Sequence, residues 1–118
     1  MDPDEMADCR AQILGNIGYT ELVRERPWDK GQADELVELM VEAACSKRDA
    51  IRVAGNEVPQ ALLRRRMLGL NGDHLRFVLD CLQRKTTQVR SIKNYLLTSL
   101  YNAPVTMENS YAVQAGHD

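Results

Sequence analysis

The chain has 118 residues, 44% of them hydrophobic and only 5% aromatic, with a formal net charge of −2. That length suits one domain whose single core buries roughly 65% of the unfolded surface. Its seven glycines and four prolines fall mostly between periodic runs, which favours an all-helical fold over a sandwich or barrel. No uninterrupted apolar run approaches the ~20 residues of a membrane span.

Residues 1–4 read as a disordered lead-in, with a single helical domain over 5–118. From Glu5, the residues Met6, Cys9, Ile13, Leu14 and Ile17 follow a helical stripe that Gly18 ends. Tyr19 to Glu25 makes a short second helix. Pro27, Asp29 and Gly31 mark a surface connection, with Trp28 expected to fold back as a lid on the core. Gln32 to Ser46 is the clearest amphipathic helix. Ala33, Leu36, Val37, Met40, Val41 and Ala44 form its apolar face and Asp34, Glu35, Glu38 and Glu42 its wet face, with Lys47 and Arg48 at its end.

Ile51 to Val58 has the only strand-like pattern, and Gly55-Asn56 supplies the turn of a short hairpin. Pro59 suits the start of a helix over Gln60 to Leu68. Asn71 caps a further helix that runs to about Lys85 with Leu75, Val78, Leu79 and Leu82 inward. In the stretch TTQVRSIKNYLLTSLYNAP, Ser91 caps a helix beginning at Ile92 and Pro104 stops it. Ile92, Leu96 and Leu100 recur at spacings of four, and the rest of the chain is expected to pack around this helix. Thr106 then caps a last short helix through Met107, Tyr111 and Val113.

The small net charge hides a split: residues 1–59 hold 7 Lys/Arg against 13 Asp/Glu, and residues 60–118 hold 8 against 4. Such asymmetry either neutralises itself across the fold or presents one surface to a polyanion or an acidic partner. The triplet Arg64-Arg65-Arg66 lies inside a helix, where 100° steps spread the side chains around more than half the circumference. Internal pairing and phosphate contact fit the triplet equally. Arg84, Lys85, Arg90 and Lys93 bracket the polar connection Thr86-Thr87-Gln88 and are the better candidates for phosphate contact. Tyr95 and Tyr101 offer faces for unpaired bases, although aromatics at helical spacing more often pack in the core. Glu35, Glu38 and Glu42 are candidates for docking a protein partner.

A catalytic constellation is missing. His74 lies in the first turn of a helix, as a surface or capping residue, and His117 is one residue from the end. The phosphate loops G-x-G-x-x-G and G-x-x-x-x-G-K-[ST] are absent, and the acidic residues have the spacing of a solvated face rather than of metal ligands. Neither catalysis nor a cofactor is expected. Cys9, Cys45 and Cys81 are odd in number and widely spaced, which fits buried free thiols in a reducing cytoplasm.

The stretches NIGYTEL, DELVELMVEAACSKRDAIRVAGNEVP, LNGDHLRFVLDCLQRKTTQVRSIKNYLLTSLYNAP and MENSYAVQAGHD resemble the C-terminal domain of replication initiator protein A. Those proteins occur on plasmids and integrative elements of Gram-positive bacteria, notably clostridia. The resemblance covers about residues 5–118. It implies an accessory module of a longer initiator whose N-terminal winged-helix domain is absent here. The module is similar to the C-terminal helical domain of the DnaD primosome proteins, which contact DNA and help to recruit the replicative helicase. Those proteins carry a Tyr-x-x-x-Ile-x-x-x-Trp pattern, of which Tyr95 matches the first position while Ser99 and Ala103 stand at the others. The resemblance therefore carries the fold further than the DNA contact. It implies a compact DnaD-like bundle of about five to six helices, with DNA or replication proteins such as a helicase or its loader as partners. The alternative is a structural or oligomerisation module without direct DNA contact.

Overall fold

The structure is a computed structural model that describes residues 2–84 and 92–116. Among these residues the chain forms six α-helices and one antiparallel hairpin, so it is an all-α bundle with a short two-stranded ribbon. The helices are α1 (Pro3–Ile17), α2 (Tyr19–Glu25), α3 (Lys30–Ala44), α4 (Gln60–Gly69), α5 (Gly72–Arg84) and α6 (Ile92–Gly116). The strands are β1 (Ala50–Val53) and β2 (Asn56–Pro59), and a single 3-10 turn, Pro27–Asp29, leads into α3. Among the described residues no helix is long and apolar enough to cross a membrane.

The centre of the bundle is α3 rather than α6. It packs against α1, α4, α5 and α6, and Ala33, Leu36, Val37, Met40, Val41 and Ala44 are all buried, as its periodicity predicts. Full burial of a Leu, Met or Val side chain is worth about 1.5–3 kcal/mol, so this face is a major part of the core. Ile13 and Ile17 of α1, Leu63 and Met67 of α4, Leu75 and Leu79 of α5, and Leu96 and Leu100 of α6 meet it. Helices α5 and α6 pack most extensively on each other.

Four expectations are corrected. First, α1 takes in Pro3 and Asp4, where a loose lead-in was expected. Asp2 accepts the Asp4 amide at 3.0 Å and Pro3 fits the first turn, so the helix is capped from its second residue. Second, Trp28 is no lid: it is 71% exposed. Its neighbour Asp29 is buried instead and accepts from Arg26 Nε at 2.8 Å and from Gln83 Nε2 at 2.8 and 3.0 Å. Arg26 also donates to Asp80 at 2.7 Å. A buried carboxylate must be partnered, and satisfying Asp29 inside this network turns Trp28 out.

Third, Pro104 does not stop α6, which runs through it to Gly116, and Thr106 caps no separate helix. Proline supplies no N–H to the carbonyl four residues back, at Leu100, and its ring crowds that turn. At the next residue, Arg66 Nη1 donates to the Tyr101 carbonyl at 2.6 Å, and its guanidinium lies 4.6 Å above the Tyr101 ring, tying this turn of α6 to α4. Ser99 also bonds back to the Tyr95 carbonyl at 2.9 Å, a contact that eases helices into bends. Fourth, the hairpin turn is Ala54-Gly55, one residue earlier than expected, because Val53 pairs with Asn56. Both turn residues have positive φ, 54° and 81°, as a two-residue hairpin loop requires.

At the start of α5, Asn71 accepts the His74 amide and His74 Nδ1 accepts the Asn71 amide, each at 3.0 Å. This reciprocal cap makes His74 a capping residue. Gly72 is fixed by contact with α1, since a Cβ there would lie 2.8 Å from the Ile17 carbonyl oxygen. The expected Ser91 cap lies outside the described residues.

Candidate functional site

The C-terminal end of α3, strand β1 and the first turns of α6 enclose a cleft of about 670 Å3. Leu39, Ala43, Ile51 and Leu97 give it apolar walls, and Lys47, Arg48, Arg52 and Lys93 give it cations. Glu42 is the one carboxylate in the lining, which leaves an excess of three positive charges. Arg48 and Arg52 are exposed and make no ion pair among the described residues. Lys47 has only a 3.9 Å contact with Glu5.

Local chemistry explains why these charges converge. Helix α3 ends at Ala44, so Lys47 and Arg48 follow it in the connection to β1. Alternation along β1 exposes Arg52 between Ile51 and the buried Val53. The carbonyl end of α3 would add negative potential beside the cleft. Side chains of α4 answer it: Arg64 Nη1 donates to the Ala44 carbonyl at 2.7 Å, and Gln60 Nε2 donates to the Ala43 and Ala44 carbonyls at 3.3 and 3.0 Å. The cleft therefore presents cations beside carbonyls that are already hydrogen-bonded.

The residues expected to act on phosphate are not brought together as a set. Lys93 lines the cleft, with its ammonium 2.6 Å from the Glu42 carboxylate. Arg84 is the last residue of α5, and Lys85 and Arg90 lie outside the described residues. Tyr95 is half-buried against the core, and one face of Tyr101 is covered by Arg66. Within the triplet, Arg64 and Arg66 are consumed by backbone carbonyls and Arg65 is exposed.

The three acidic candidates also part company. Glu38 is held by both guanidinium nitrogens of Arg10 on α1, and this hydrogen bonding pulls its carboxyl below the ordinary range. Glu42 faces Lys93 in the cleft. Glu35 is exposed and makes no ion pair among the described residues. Lys93–Glu42 and Arg76–Glu25 join carboxylates of the acidic half to cations of the basic half, while Arg10–Glu38 pairs within the acidic half. Part of the charge asymmetry is thus neutralised across the fold.

Other chemistry is sparse in the described residues. No three His, Cys, Asp or Glu side chains gather as a cation cage among them. The Cys9 thiol is pushed up to about 11, first by burial and then by neighbouring Cys45, so it stays protonated near neutral pH.

Lys47, Arg48 and Arg52 are the cleft residues that reading the sequence did not place in a site. The signal was local. Lys47, Arg48 and Arg52 fall within six residues of a half-chain whose overall count is acidic.

A family model with the description "family of unknown function (DUF6017)" matches residues 1–118, and the chain belongs to that family. No curated protein and no solved structure matches it.

Proposed function

We propose that this DUF6017 chain is an accessory domain of a plasmid-type replication initiator that holds DNA phosphates in the cleft between α3, β1 and α6. The replication role rests on the resemblance of the ordered stretches to the C-terminal domain of replication initiator protein A. The DNA contact rests on one observation: Lys47, Arg48, Arg52 and Lys93 converge on a cleft whose lining includes a single carboxylate. Cations aimed at one open concavity are what a polyanion recognises, whatever its sequence.

The reaction is binding, and its energy comes from releasing counterions as phosphates replace them. Four neutralised phosphates give log K against log salt a slope of about −3.6 on duplex DNA. Fluorescence anisotropy of a labelled duplex, titrated with the whole chain at increasing salt, measures that slope. A slope near this value supports the reading, and no binding at low salt removes it.

A second reading, contact with a replication protein such as a helicase loader, is favoured by the exposed Trp28 and Val105 and by the exposed Glu35. Charge reversal of Glu35 would weaken that contact and leave DNA binding intact.

A further inference from the structure

We infer that Glu42 is an internal competitor for the cleft, a carboxylate that occupies Lys93 and must be displaced before a phosphate can take its ammonium. The inference rests on the DNA-binding reading above and assigns to Glu42 the setting of affinity at that site.

The geometry is direct. Lys93 Nζ donates to Glu42 Oε1 at 2.6 Å, and both residues line the cleft. Their backbones belong to α3 and α6, which pack against each other, so the pair is presented by rigid elements. Both side chains are about half exposed, at 59% and 51%, and exposed ion pairs of this kind are weak. A phosphate that also meets Arg48 and Arg52 can therefore displace the carboxylate.

The other acidic residues of α3 do not share this position. Glu38 is engaged by Arg10 on the α1 side, and neither Glu35 nor Glu38 lines the cleft. Glu35 thus provides a control with the same charge, on the same helix, outside the site. If Glu42 acted only through net charge, neutralising Glu35 would have a comparable effect.

The test is a double-mutant cycle read by anisotropy with labelled duplex DNA at low salt, about 50 mM, where screening is modest. Glu42→Gln, Lys93→Ala, the double variant and Glu35→Gln are compared with the parent chain, each checked for folding by its thermal melt. Glu42→Gln is expected to tighten binding about fivefold and Glu35→Gln less than about twofold, as orders of magnitude for one charge inside and one outside a phosphate site. In the Lys93→Ala background the gain from Glu42→Gln should shrink below about twofold, since coupled residues are non-additive. The inference is overturned if the gain persists without Lys93, if Glu35→Gln matches it, or if Glu42→Gln changes nothing while the parent binds. No DNA binding by any of these proteins would overturn the functional reading itself.

Discussion

Arg64 and Arg66 on α4 carry the same guanidinium group as Arg48 and Arg52 beside the cleft, and the fold uses the two pairs in opposite ways. The α4 pair spends its donors on main-chain carbonyls: Arg64 caps the end of α3, and Arg66 holds the Tyr101 carbonyl of α6. The other pair lines an open concavity without ion-pair partners among the described residues. A run of three arginines is therefore structural at two of its positions, and two separated arginines form the more accessible charge. What decides is the acceptor each one meets, which the fold sets and composition does not.

The contrast breaks most readily at Arg66. Arg66→Ala removes a charge-assisted hydrogen bond and the cover over Tyr101, and should cost about 2 kcal/mol in chemical denaturation. Arg48→Ala should stay within about 0.5 kcal/mol of the parent, as for exposed positions generally. Equal losses at the two sites would erase the distinction.

A smaller effect sharpens the other side of the comparison. Ala54 holds φ 54° in the turn that carries Arg52's strand, and asparagine tolerates that conformation better. Ala54→Asn should stabilise the chain by about 0.5–1 kcal/mol and leave the salt dependence of DNA binding unchanged. A changed slope would mean that the hairpin's stability, and not only its charge, governs the cleft.

The smallest effect lies away from both regions, at His74. Burial holds its imidazole below the ordinary value of 6.5 despite the opposing pull of Asp73. Its folded form resists a proton that the unfolded chain accepts, so the stability it contributes is fully present above 6.5 and is lost as pH falls through the lower folded value. Melting temperature should drop as pH is lowered below 6.5, and His74→Gln, which keeps a capping side chain, should flatten that drop. An undiminished drop in the variant would move the effect to other groups.

The helical core was legible because periodicity reports burial directly: all six apolar positions predicted on α3 are buried. The hairpin was legible for the same reason, through alternation and a glycine turn. Pro104 misled because proline's local penalty is read from sequence, whereas the tertiary contacts that hold α6 around it, such as the Arg66 bond to the Tyr101 carbonyl, come from as far as 35 residues away along the chain. Trp28 misled because apolar size suggests burial, and the network that buries Asp29 instead depends on Gln83, 54 residues distant. Among the site residues, Lys93 was found and its pairing with Glu42 was not, since the two stood in opposite halves of the charge count. Arg52 was visible only as a strand residue until β1 came to lie against α6.

The most direct test of the account is the salt slope of DNA binding for the parent and for Arg48→Ala/Arg52→Ala. Losing two of four phosphate contacts should move the slope from about −3.6 to about −1.8 and weaken binding roughly 50-fold at 0.1 M salt. The thermal melt should remain that of the parent. Parent binding whose slope and affinity survive the double substitution would place the contact elsewhere and contradict the cleft as the DNA site.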